Sequence, residues 1–261
     1  MNNKQAFTLV ELVIVIVVSA ILSSIAISKI HINSLKYAAY SVLNDIRYAK
    51  SLSLTSDVYL KTSSLLFIDS DYYKSYWQFR IHCIANEKSG KTYKCKSKDK
   101  DYGYTIFSDF SGTHTGNPDL KEVAKDYINN SKYLGARFSG ISALDSDYTD
   151  RTNLTQEFGI KYINLFYVDK FSPKSVSTIM FDEFGEMNAI TYNAKRNYSF
   201  KVADKFVVGL SLKDDKFDKD NSICILFDGK YSIGDIPKND SNGQLLWTNK
   251  GKNVYCHEIL K

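Results

Sequence analysis

Residues 6–30 read AFTLVELVIVIVVSAILSSIAISKI. From Leu12 to Ser28 the run carries no charge. With Phe7–Val10 before it, it matches the roughly 17–25 apolar residues that cross a bilayer as a helix. A secretory signal peptide is built differently: charges first, a shorter apolar core, then a small-residue cleavage site. Here the polar leader, residues 1–6, is brief and the apolar segment runs straight on into more helix. The reading is a leader over 1–6 and a transmembrane helix over 7–30. Glu11 interrupts it, and a carboxylate in lipid costs several kcal/mol unless it is paired. A free amine is the nearest candidate partner. Removing the leader after Ala6 would give Phe7 a new ammonium at similar depth, four residues from Glu11, able to neutralise the acid in its own chain or in a neighbour.

Beyond the span the pattern turns amphipathic. Ile32, Leu35, Ala39, Val42, Ile46, Ala49 and Leu52 recur at three- and four-residue steps, which is the spacing of one helix face and is explained by core packing alone. Lys36, Asn44, Asp45 and Arg47 are placed on the other faces. No proline falls between Phe7 and Leu54, so one helix of roughly 70 Å is expected, its continuation over 31–56 packing on a sheet. The remaining chain, 57–261, reads as a β-rich domain. The chain's 19 Tyr and 15 Phe favour strands. Trp77–Cys83 alternates as a half-buried strand does, and Tyr162–Val168 is a second apolar run. Ser177–Asp182 and Met187–Thr191 form a hairpin with glycine in the turn. Ile223–Phe227 meets Asp228-Gly229, a strong hairpin dipeptide, and then Lys230–Gly234. An insertion over about 90–151 is expected to hold loops and a short helix near Leu120–Ile128. The fold class is therefore α+β.

The stretch Ala6-Phe7-Thr8-Leu9-Val10-Glu11-Leu12 resembles the N-terminal signal of type IV prepilins and type II secretion pseudopilins: a short basic leader, a small residue, Phe, Thr-Leu, then Glu fifth after the cut. The resemblance implies cleavage between Ala6 and Phe7 by a prepilin peptidase, N-methylation of Phe7, and an assembly role for Glu11. It implies as partners other pilins or pseudopilins and an inner-membrane assembly platform, with a single-pass inner-membrane anchor and the C-terminal domain in the periplasm. Lys4 before the span against Lys29 and Lys36 after it leaves topology unsettled by charge, so the orientation rests on the resemblance and on the cysteines. Ala6 stands where Gly is usual, and Ala20 and Ser28 stand where major pilins often carry Gly and Pro, which points to a minor subunit. Tyr40–Ser51 and the two hairpins resemble the H-type minor pseudopilins (GspH/FimT family). The implied function is a filament subunit for protein secretion or DNA uptake. The competing readings are a DNA receptor of a competence pilus and an unprocessed membrane-anchored protein.

Cys83, Cys95, Cys224 and Cys256 form no CxxC pair, so a zinc ribbon or thioredoxin-like site is disfavoured. An even count in an exported chain points to disulfides. Of three connectivities, Cys83–Cys95 with Cys224–Cys256 closes the shortest loops; four free buried thiols are the alternative. Lys88, Lys91, Lys94, Lys96, Lys98 and Lys100, interleaved with Tyr93 and Tyr102, form a basic loop able to meet DNA phosphates nonspecifically, though a solvated surface loop explains it more simply. The net charge of +5 is only mildly basic and does not by itself imply nucleic acid. Residues 85–92 fit the loosest phosphate-loop pattern but lack the following helix. His82 and His257 neighbour cysteines, yet adjacent strand residues point to opposite faces, so no metal site is read there. Asp145, Asp147 and Asp150, and Asp214, Asp215, Asp218 and Asp220, read as solvated acidic loops rather than calcium sites. No catalytic motif is present; neither an enzyme nor a cofactor is expected.

Overall fold

The computed structural model describes residues 9–56, 72–84, 101–110, 118–137, 144–169, 172–192, 198–231 and 233–259. The layout is an N-terminal helix followed by antiparallel sheets, an α+β arrangement. Helix α1 runs unbroken over Leu9–Thr55. Its first half is rich in β-branched residues, mediocre helix formers in water, and no proline or glycine interrupts it. It ends where Thr55 Oγ1 turns back to donate to Ser51 O at 2.9 Å.

Thirteen strands and one short helix follow among the described residues. The first sheet has the order β2-β1-β5-β6-β7, formed by Tyr102–Ser108, Trp77–Cys83, Thr178–Phe181, Met187–Tyr192 and Tyr198–Val202. The second has the order β10-β9-β8-β3-β4, formed by Gly234–Asp235, Ser222–Asp228, Lys205–Ser211, Tyr162–Asp169 and Ser172–Val176. A third, small sheet joins β11 (Asn239–Asp240), β12 (Gly243–Asn249) and β13 (Lys252–Tyr255). The short helix α2 covers Leu154–Phe158.

The main core gathers Leu35, Ala38, Ala39, Val42, Leu43, Ile46 and Ala49 of α1 with strand residues such as Phe79, Tyr104, Phe181, Phe206 and Phe227. A second core lies around Phe166, Val207, Phe217, Leu246, Trp247 and the Cys224–Cys256 disulfide, which ties β9 to the C-terminal turn. Cys83 is also disulfide-bonded; Cys95 lies outside the described residues.

Four sequence readings are corrected in detail. Strand β1 is buried along most of its length, not half-buried. Its polar residues are covered: Arg80 Nε donates to Thr178 Oγ1 at 3.0 Å and its guanidinium lies over the Phe107 ring. Segment 118–137 runs along the outer edge of β2 and pairs with it: Ala124 N donates to Ile106 O and Ile106 N to Leu134 O. For the same reason the helix expected near Leu120–Ile128 is a single 3-10 turn at Leu120–Glu122, followed by residues bridged to the sheet. The Phe181–Met187 hairpin does place Gly185 in its turn, with φ +72. Asp228-Gly229, however, makes no two-residue turn. Gly229 N donates to Asp204 O, a Cβ there would lie 1.8 Å from Ala203 O, and pairing resumes only at Gly234 opposite Phe227. That glycine serves close backbone approach. Finally, Asp45 is not on an outer face of α1: it is 0% exposed.

Candidate functional site

Two features of α1 carry chemistry, one at each end of the helix. In the N-terminal half every large apolar side chain described from Val10 to Leu22 is exposed, between 47% at Val18 and 64% at Val10. A helical stretch whose apolar side chains are exposed all round is built for a non-aqueous or protein environment. Glu11 sits within this stretch, on the helix and exposed. Ala6 and Phe7 lie outside the described residues. Among the described residues no helix is long and apolar enough to cross a membrane; the side chains described in this run stop at Leu22.

In the C-terminal half, Asp45 is the centre of a buried polar cluster. Tyr104 Oη, from β2, donates to its Oδ2 at 2.5 Å, and Tyr127 Oη donates to its Oδ1 at 2.9 Å. Arg151 reaches the same carboxylate through Nε at 3.2 Å and Nη2 at 3.3 Å. Arg151 also grips Asp126 in a two-pronged pair, 2.7 Å on each side, and lies over the Tyr127 ring at 4.9 Å. Tyr127 in turn packs on Tyr48 of α1, with ring centroids 4.8 Å apart. The turn Asp150–Thr152 and the hydrogen bond from Ile128 N to Asp126 Oδ1 set the two partners in place.

One guanidinium therefore serves two carboxylates. Burial pushes Asp45 above the usual carboxylate range, against the hydrogen bond from Tyr104 and the charge of Arg151. Asp126 is also raised by burial, but its bonds from Arg151 and Ile128 outweigh that, and it ends below its ordinary value. The two acids hold Arg151 firmly charged, overcoming its desolvation. Burial and the Asp45 charge push the Tyr127 hydroxyl up to about 12, so it donates at any physiological pH. What this arrangement does chemically is join α1 to a segment more than 80 residues away in sequence by bonds that require one alignment.

The other candidate residues stand apart from these features. Lys88, Lys91, Lys94, Lys96, Lys98 and Lys100 all lie outside the described residues, as does the phosphate-loop-like stretch. His82 is half-buried, its ring bonded to Cys83 O and Thr105 Oγ1, and its desolvation lowers its pKa to about 4, so the ring is neutral. Asp218 closes its own loop, accepting from the backbone of Asp220 and Asn221 and from the Asn221 side chain. Asp147 likewise accepts from Leu144 N. Among the described residues no three His, Cys, Asp or Glu side chains cluster to hold a metal. A cleft of about 410 Å³ opens at the seam between β1 and β3, lined by Tyr102, Tyr162, Asn164, Ser175 and Ser177 among others. Its polar groups bond to one another: Asn164 accepts from Ser175 Oγ and Leu165 N and donates to Tyr162 Oη.

Sequence reasoning missed the Asp45 cluster, although half of it had a signal. Positions 42, 45, 49 and 52 follow the same three–four spacing as the apolar stripe, so an acid at 45 faces inward and requires a buried partner. The identity of that partner had no local signal.

Among known families, the prokaryotic N-terminal methylation motif matches residues 1–27. The motif suggests a type IV pilin-like or pseudopilin subunit, and it implies a membrane-anchored protein that is processed by a prepilin peptidase and assembles with other pilins. No curated protein and no solved structure matches the chain.

Proposed function

We propose that this chain is a non-catalytic minor pilin or pseudopilin, which enters a short filament serving type II secretion, a type IV pilus or DNA uptake. One observation carries the reading: the methylation motif over residues 1–27 overlaps an apolar helical stretch whose large side chains described from Val10 to Leu22 are exposed and whose one acid is Glu11. In this reading the helix crosses the inner membrane before assembly, with residues 57–261 on the periplasmic side, where disulfides such as Cys224–Cys256 persist. The peptidase cuts between Ala6 and Phe7 and the new Phe7 amine is methylated. The resulting ammonium pairs with Glu11 of the same or a neighbouring subunit, because neither charge is tolerable alone in lipid or in a filament core. Assembly then needs no reaction at the globular domain, which selects neighbours by shape.

The test has two readouts on the full chain expressed with its secretion machinery. Intact mass of the membrane-extracted protein should show loss of residues 1–6 and one added methyl group. Glu11→Leu should be processed and inserted normally yet be depleted at least tenfold from sheared filaments. Retention of residues 1–6, or undiminished incorporation of Glu11→Leu, overturns the proposal.

A further inference from the structure

We infer that the Asp45–Arg151–Asp126 cluster is a register lock that fixes the axial position and rotation of α1 against the strands. The apolar stripe alone cannot do this. Leu35, Ala38, Ala39, Val42, Ile46 and Ala49 make non-directional contacts, and along the middle of the stripe a slide of one turn, about 5.4 Å, exchanges one aliphatic side chain for another: Leu35 for Ala39, Ala38 for Val42, Ala39 for Leu43 and Val42 for Ile46. Asp45 is not exchangeable. One turn before it stands Ser41 and one turn after it Ala49. Either slide removes the acceptor from Tyr104 and Tyr127, separates Arg151 from the helix, and carries a carboxylate into the apolar core. Fixing register is the best-attested use of buried polar groups, whose net stabilisation is otherwise small. The opposite flank of the helix is held the same way: Arg47 Nη2 donates to Gly234 O at 2.8 Å, and Lys50 Nζ donates to Tyr231 O.

The consequence for assembly rests on the proposed function. Glu11 precedes Asp45 by 34 residues, roughly 51 Å along the helix at 1.5 Å per residue. The lock thus sets how far from the globular domain the assembly acid projects, and a one-turn slip displaces it by about 5 Å.

The test uses the full-length chain in detergent, with nitroxide-bearing amino acids incorporated at exposed Ser51 on α1 and exposed Thr248 on β12, read by pulsed EPR. The wild type should give one narrow distance. Asp45→Asn leaves Arg151 balanced by Asp126, and Arg151→Lys keeps the charge without the double fork. Each variant should unfold cooperatively and yet broaden the distribution or add a population displaced by up to one turn. An unchanged distribution in both variants overturns the inference. So does loss of cooperative unfolding in both, which would make the cluster a support of the fold and not of its register. The readout needs no filament, so failure of the assembly reading leaves it intact and separately legible.

Discussion

Replacing Arg151 by Met removes the guanidinium and leaves two carboxylates, on side chains 0% and 2% exposed, facing each other without a cation. The size of the defect follows from what they can do instead. Asp45 retains the Tyr104 and Tyr127 hydroxyls, and its cheapest escape is to take a proton. Holding a carboxyl of ordinary pKa near 3.9 protonated at pH 7 costs about 1.4 kcal/mol for each of roughly three pH units, or about 4 kcal/mol. That figure agrees with the 3–5 kcal/mol typical of breaking a buried pair from one side, so a loss of about 3–4 kcal/mol is expected at pH 7. The sign with pH is fixed. In the variant Asp45 has a folded pKa above its unfolded one, so its penalty is absent below the unfolded value and grows as pH rises. At pH 5 the same escape costs only about 1.5 kcal/mol, and the deficit should shrink accordingly. Denaturant unfolding of the full chain in detergent, followed by circular dichroism at both pH values, measures this. A loss under about 1 kcal/mol at pH 7, or an equal loss at pH 5, would refute the assignment of a buried, shared cation.

Two further measurements probe the cores on either side of the second sheet. Ile46 is 1% exposed in the main core, and Ile46→Ala should cost about 2–5 kcal/mol in the same assay, whereas truncating exposed Tyr40 to Ala should change stability by less than about 0.5 kcal/mol. The Cys224–Cys256 bond spans 32 residues; Cys224→Ser with Cys256→Ser should cost about 3–4 kcal/mol in the chain-entropy account and speed proteolysis of the C-terminal hairpin, seen by limited digestion and mass spectrometry.

Some of the architecture was written locally. The uninterrupted helix, the strands at Trp77–Cys83 and Tyr162–Asp169, and the hairpin with Gly185 in its turn follow from periodicity and turn chemistry, because these depend on residues a few positions apart. The Asp228-Gly229 hairpin did not form as read. The dipeptide signal is real, but the loop backbone at Ala203 and Asp204 presses on Gly229, a contact from a distant strand connection. Likewise the polar residues of β1 looked solvated, whereas the fold sets Thr178 and Phe107 against Arg80 and Thr105 against His82.

Consecutive residues alone specify the N-terminal part of the molecule: a long helix, apolar all round and then on one face, with an acid at position 11 inside the apolar run and a motif over residues 1–27. Periodicity and charge spacing are properties of consecutive residues, so they survive without a fold. The partners of Asp45 come from the folded arrangement. A buried carboxylate announces that it needs a cation and donors. Which arginine and which tyrosines supply them depends on chain segments 59, 82 and 106 residues away being brought to one helix face, and no local pattern encodes that meeting.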